Sequence, residues 1–263
     1  MKLPLYAVLF TAALSPLAFA ADAPDTSTQP ETSTTVGLGV AYVPEYAGAK
    51  KSRAFPLLAF EYANANGLFA SSQKGIGYQT KAGPVNLSAA LGYDVGRRER
   101  DSNVRFGSKA LKGMGDIRGS ALLGLGIGYD FGFVSVGLQS NLALSHRERG
   151  NEYELAAQVP LLADDADKVG LFFSADYSDK KNSQTFYGVT AQQSLRSGYK
   201  VYTPKAGFTK AALGVSWNHT FNKNWSLNTM AGAMHMLGDA ADSPLTARKT
   251  APVLLTTVNY TFK

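Results

Sequence analysis

The chain has 263 residues, with 26 Lys and Arg against 20 Asp and Glu and a formal charge of +6. It has no cysteine, which excludes disulfides, thiolate nucleophiles and Cys-ligated metals. The positive balance asks for an acidic partner, but the cations are unevenly spread, with seven against three acids between Gly96 and Arg118, which points to an anionic lipid surface and away from nucleic acid.

Lys2 precedes an apolar run from Leu3 to Phe19, broken in polarity only by Thr11 and Ser15, and Ala18-Phe19-Ala20 places small residues where a signal peptidase reads. Residues 1–20 are therefore expected to be a signal peptide cleaved after Ala20. Pro4 and Pro16 interrupt the run and argue against an uncleaved anchor, and no cysteine follows to take a lipid. Residues 21–35 hold Asp22, Asp25, Glu31, Pro24, Pro30 and many Ser and Thr, too little apolar material to fold alone, and are expected to be a disordered periplasmic tail. The barrel is expected over 36–263.

From Val36 onward apolar residues recur at every second position. The clearest case is 85–95, where Val85, Leu87, Ala89, Leu91, Tyr93 and Val95 share one face of a strand and Asn86, Ser88, Ala90, Gly92 and Asp94 the other. A strand of this length, tilted, crosses a bilayer. The same pattern predicts strands at 36–43, 54–62, 67–72, 75–80, 85–95, 117–130, 133–145, 152–162, 168–178, 207–221, 223–237 and 251–262. The expected fold is all-β, an antiparallel up-and-down transmembrane β-barrel of twelve strands, or ten if 67–80 is not a hairpin. Ala121 to Leu144 is long and apolar enough to suggest a membrane helix, but Gly124, Gly126 and Gly128 alternate with Leu123, Leu125 and Ile127, and glycine at that frequency is poor helix material.

With the N-terminus in the periplasm, alternate connections fall on one side. Ala63 to Asn66, Lys81 to Pro84, Phe131-Gly132, Ala163 to Asp167 and Asn222 are brief, as periplasmic turns should be. The other set is longer: Pro44 to Arg53, Gly96 to Asp116, His146 to Asn151, Asp179 to Ala206 and Gly238 to Thr250, with Gln73-Lys74 as a tight exception. The lumen is expected to receive Asn86, Asp94, Arg118, Gln139, Asn141, Glu154, Gln158, Asp176, Ser216, Asn218 and Asn228. In the basic external segment, Arg97, Arg98, Arg100 and Arg105 are candidate contacts for lipopolysaccharide phosphates, a solvated loop being the alternative. Tyr129, Phe131 and Phe133 surround one periplasmic turn and Phe221 and Trp225 another, as an interfacial girdle would. Val258 to Phe262 ends the chain on the aromatic alternation that barrel-assembly machinery reads, with Lys263 after it.

Pro44-Glu45-Tyr46-Ala47-Gly48, Gly113-Met114-Gly115-Asp116-Ile117, Phe186-Tyr187-Gly188-Val189-Thr190 and Gly238-Asp239-Ala240-Ala241-Asp242-Ser243-Pro244-Leu245 stand in that order. Together they resemble the pattern of the MltA-interacting protein (MipA/OmpV) family of outer-membrane proteins, over nearly the whole chain beyond residue 20. The resemblance rests on Pro44, Tyr46, Gly48, Gly113, Gly115, Asp116, Tyr187, Gly188, Gly238, Asp239, Asp242, Ser243 and Pro244. It implies an outer-membrane scaffold linking a lytic transglycosylase to a bifunctional murein synthase in cell-wall assembly. Other members resembling this chain are porin-like or respond to antimicrobial peptides. Physically the motifs read as loop architecture, with Pro, Gly, Asp and Ser setting turns; the alternative is that Asp116, Asp239 and Asp242 converge on a cation or a sugar.

Catalysis is not expected, and neither is a cofactor or metal. His146, His219 and His235 are the only histidines; Ser145 and His146 are neighbours on a strand and point to opposite faces, so they form no dyad. Gly124-Leu125-Gly126 has Tyr129 where a dinucleotide loop needs its third glycine. Scaffold and small passive channel therefore compete, and twelve strands lie between filled barrels and open porins. The short periplasmic turns leave little docking area, so the tail Ala21 to Thr35 and the turns near Asn64 and Asn222 are the expected partner surface, an inert spacer that helps delivery to the barrel-assembly machinery being the alternative for the tail.

Overall fold

The computed structural model describes residues 32–102 and 105–262. The expected signal peptide, and the expected tail as far as residue 31, lie outside the described residues. The strands are β1 Ser33–Pro44, β2 Ser52–Ala63, β3 Leu68–Ser71, β4 Gly75–Ala82, β5 Val85–Asp94, β6 Ser120–Asp130, β7 Ser135–Ala143, β8 Glu152–Ala163, β9 Asp167–Ser178, β10 Gly207–Thr220, β11 Trp225–Met236 and β12 Thr250–Phe262. Each pairs antiparallel with its chain neighbours, and β1 pairs with β12, Val36 opposite Tyr260 and Leu38 opposite Val258, so the sheet closes on itself. All twelve expected strands are present, and 67–80 is a true hairpin. Most boundaries shift by one to three residues, and two of the shifts move residues between wall and connection. Ser33, Thr34 and Thr35, expected in the tail, belong to the wall, where Thr35 Oγ1 lies 2.8 Å from Thr261 Oγ1. β6 starts at Ser120, leaving Arg118 in the connection before it.

The alternation has a physical cause in this closed wall. Leu38, Leu58, Leu87, Leu91, Leu125, Ile127, Leu138 and Leu213 are exposed on the outer face, while Gly124, Gly128, Gly137 and Gly170 on the inner face are buried. Tyr129, Phe131 and Phe133 form a chain of rings at 4.4 and 6.4 Å, and Trp225, Tyr260 and Phe262 another at 5.0 and 4.8 Å, both at the end where the turns are short. Tyr153, Tyr177 and Phe208, at 6.3 and 5.6 Å, mark the opposite, loop-bearing end. Two aromatic belts bracket an apolar outer band.

One stretch of wall is lower than the rest. β2 pairs with β3 only over Glu61 to Ala63, and β5 pairs with β4 only as far as Leu91. Above the hairpin tip the sheet is notched. Phe60 exchanges hydrogen bonds with Ser72, so its backbone faces the notch side; Pro56, four positions earlier and of the same parity, places there a residue with no N–H to leave unpaired. Ser71 Oγ accepts from the N–H of Gln73 and of Lys74, both at 3.0 Å, which fixes the tight tip. The connection after β5 leans across the notch. Arg53 donates to the Ser102 carbonyl at 3.0 Å and pairs with Glu45 at 2.8 Å, and the Phe106 ring rests 5.5 Å from that of Phe55.

The loop end also carries helices α1 Lys180–Tyr187, α2 Ala191–Ser197 and α3 Gly238–Ala241. Asp179 caps α1 by accepting from the Asn182 N–H at 2.7 Å, and Thr190 and Gln193 form a capping box on α2.

Candidate functional site: a capped chamber in the barrel

The four motif segments meet in space. Tyr46, Met114, Val189 and Leu245, one from each, pack with Ala49 and Leu111 into one buried cluster flanked by Tyr199 and Tyr202. The Tyr46 hydroxyl donates to the Leu245 carbonyl at 3.0 Å, the Ser243 hydroxyl to the Tyr187 carbonyl at 2.6 Å, and the Gln193 amide to the Met114 carbonyl at 2.8 Å. Glu99 Oε2 accepts from the N–H of both Gly113 and Gly115 at 2.8 Å; their φ angles of 89° and 83° lie where only glycine is unstrained. Tyr187, Met236, Ala240 and Ala241 tie α1 and α3 to β11. The motifs thus build a cap over the barrel mouth. Burial pushes the Tyr46 hydroxyl up to about 12 and raises Tyr187 and Tyr202 in the same direction.

Beneath the cap, Ala41, Val43, Phe55, Phe172, Met230, Met234, Val253 and Leu255 fill one side of the lumen with apolar side chains. The other side is ionic. Lys210 Nζ lies 2.9 Å from Glu152 Oε1 and 3.0 Å from Asp176 Oδ1, with Glu154 opposite Asp176 across β8 and β9. Asp94 Oδ1 receives Arg149 Nη2 at 2.5 Å and the Gly96 N–H at 2.6 Å. Between these groups and the cap is a cavity of about 100 Å³, lined among others by Tyr46, Asp94, Arg97, Arg149, Phe186 and Lys210. Arg97 donates from Nη1 to the Phe186 carbonyl at 2.7 Å, and its guanidinium lies 5.9 Å from the rings of Tyr46 and Phe186. Arg149 lies 5.4 Å from the same Phe186 ring. Burial pulls Arg97 down to about 10, which leaves it charged at neutral pH. Toward the turn end the lumen changes character. Asn86, Gln139, Gln158, Asn218 and Asn228 are half-buried amides, and Asn218 donates to Asn228.

Of the expected lumen residues, Asn86, Asp94, Gln139, Asn141, Glu154 and Asp176 sit on the inner face. Arg118 does not. It is exposed in the connection before β6, where its charge acts on Glu148. Arg97 is a second correction: at 7% exposure, enclosed by Tyr46 and Phe186, it cannot reach lipopolysaccharide. Arg98 pairs with Asp116 at 3.5 Å, Arg100 is exposed and Arg105 half-buried.

The loop acids do not converge. Asp116 accepts from the Glu99 N–H at 3.0 Å, Asp239 from the Lys205 N–H at 2.8 Å, and Asp242 pairs with Lys249 at 2.9 Å. Pro44, Gly188 and Gly238 stand at strand and helix ends, and Gly48 and Pro244 lie in the connections between β1 and β2 and between α3 and β12. Ser145 Oγ accepts from the Ala121 N–H at 2.9 Å while His146 faces Glu148 at 3.0 Å, so hydroxyl and imidazole are not paired. His219 pairs with Asp167 at 2.8 Å and meets Phe221 edge-on, and His235 bonds Thr250 at 2.7 Å.

Sequence reasoning missed Arg149, Lys210 and Glu152. Parity offered a signal for two of them, since Glu152 alternates with Glu154 and Lys210 is in phase with Ser216 and Asn218. Arg149 lies in a short connection with no period to read.

The sequence profile described as MltA-interacting protein MipA matches residues 36–262. The chain belongs to that family. No curated protein matches it. Similar solved structures include a porin (12% identity, 88% of this chain and 99% of that one, TM-score 0.34). Others are OmpT of Vibrio cholerae in its trimer form (7%, 88% and 98%, 0.37) and the CymD monoaromatic hydrocarbon channel (10%, 90% and 89%, 0.38). Membership of the MipA family and the closed twelve-strand wall make this an outer-membrane β-barrel protein. In this MipA-family chain the motif residues converge on one cap instead of serving separate loops.

Proposed function

We propose that this protein is a non-catalytic outer-membrane scaffold that holds murein-remodelling enzymes, a lytic transglycosylase and a bifunctional murein synthase, at the periplasmic face. The family description supports a protein-binding role. The observation that most favours it over a passive channel is the filled loop half of the lumen, where Phe55, Phe172, Met230 and Met234 lie under a packed cap. In this reading a cleaved signal peptide exports the chain, the turn end faces the periplasm, and residues 21–32 lead from β1 toward the partner. Arg98, Arg100 and Arg105 face lipopolysaccharide at the opposite end.

The test joins capture with conductance. Deleting Pro24 to Thr32, which spares β1, should leave insertion intact and abolish co-purification of both enzymes. Full capture by the truncated barrel would exclude the tail. An intact protein that captures neither enzyme and gives conductance steps in a planar bilayer would replace the scaffold with a channel.

A further inference from the structure

Two guanidiniums line one side of the chamber, and one of them keeps a donor in reserve. Arg149 is 6% exposed; its Nη2 is held by Asp94, while its Nη1 is buried with no hydrogen-bond partner among the described residues. Arg97 gives Nη1 to the Phe186 carbonyl and makes no salt bridge among the described residues. Both guanidiniums lie within 6 Å of the Phe186 ring, at 5.9 and 5.4 Å, so the two cations share one wall of the cavity. The acids that line it are already paired, Asp94 with Arg149 Nη2 and Glu152 with Lys210. A buried cation without an ion-pair partner and an orphaned N–H are both costly to retain.

We propose that the chamber is a binding site for a small oxyanion, a phosphate or carboxylate group, held by Arg149 Nη1 and the Arg97 guanidinium beside Phe186. The planar guanidinium presents paired donors suited to such a group. A cavity of about 100 Å³ admits a group of a few heavy atoms. Free ions and lipid headgroups both carry this chemistry. The notch between β2 and β5 lies next to the chamber, since Phe106 both lines the cavity and packs on Phe55 of β2. The site is independent of any periplasmic partner.

The experiment titrates the full-length folded barrel in detergent with inorganic phosphate, and separately with acetate, at constant ionic strength by calorimetry. Heat-dependent gel migration reports folding of each variant. Saturable binding at one site per barrel is expected for at least one of the two ions. Arg149→Lys should weaken it about tenfold. Asp94→Asn, which removes the anion already resting on Arg149, should tighten it, and Arg100→Gln on the exposed segment should leave it unchanged. The titration is repeated in nanodiscs with and without phosphatidic acid. Loss of ion binding only with that lipid assigns the site to a headgroup, and persistence assigns it to a free ion. The proposal is overturned if the wild type binds neither ion saturably, or if folded Arg149→Lys and Asp94→Asn both bind as the wild type does.

Discussion

The loop half and the turn half of this barrel share one wall and enclose different things. On the outside the two are alike, with Val36 and Phe60 exposed toward the turn end and Val40 and Tyr42 toward the loop end. On the inside, Ala41, Val43, Phe55 and Ser174 are at most 1% exposed, whereas Asn218, Asn228, Gln139 and Gln158 remain half-exposed. Lipid constrains only every second residue of a spanning strand. The intervening residues answer to whatever the loops place above them, so an unbroken outer pattern says nothing about whether the lumen is full.

The sharpest way to break this comparison is a pair of inward substitutions. Lys210→Ala removes the cation between Glu152 and Asp176 and should destabilise the barrel by about 3–5 kcal/mol, because buried carboxylates are left uncompensated. Asn228→Ala in the turn half loses a hydrogen bond with Asn218 where water can substitute, and should cost about 0.5–1.5 kcal/mol. Urea unfolding midpoints of the two variants measure the contrast, and equal midpoints would mean that the halves do not differ energetically.

A somewhat smaller effect tests the wall that both halves share. Leu125, 42% exposed on the outer face, should cost about 2–4 kcal/mol when replaced by Arg near the midplane. Gly126→Arg points inward, where an added Cβ meets Ser88 Oγ and Gln139 Oε1, the movable ends of two side chains. Assembly into liposomes should therefore fail more often for Leu125→Arg than for Gly126→Arg. Equal failure would show that lipid does not set the alternation.

The strands were legible because each outward residue has the same neighbour, the hydrocarbon, whatever the rest of the chain does. Even the short hairpin at Leu68–Ser71 and Gly75–Ala82 obeyed that rule. The cap was not legible for the opposite reason. Arg97 is enclosed by Tyr46 and by Phe186, the latter 89 positions away along the chain, and nothing local distinguishes it from Arg98, which pairs with Asp116 nearer the surface. The motifs stand out along the sequence as segments, but their meeting in one cluster is a property of the closed barrel, which brings the ends of β1, β5, β9 and β11 around a single mouth.

The smallest predicted effect separates cap from wall. Tyr46→Phe deletes the hydrogen bond to the Leu245 carbonyl and should cost about 0.5–1.5 kcal/mol at neutral pH. Its pH dependence is more telling. An unfolded tyrosine loses its proton near the ordinary value of 10.0, whereas burial holds Tyr46 up to about 12. Its contribution is therefore whole below pH 10 and is lost as pH rises through about 12. Tyr187 and Tyr202 shift the same way, while Arg97, pulled down to about 10, acts in the opposite direction, so the informative quantity is the difference between wild type and Tyr46→Phe. Limited proteolysis of the 179–206 connection should accelerate more steeply above pH 10 in the wild type than in the variant, with the folded gel mobility of the wall unchanged. Parallel slopes would mean that the cap is held by the packing of Leu111, Val189 and Leu245 and not by the buried hydroxyl that joins two of its motifs.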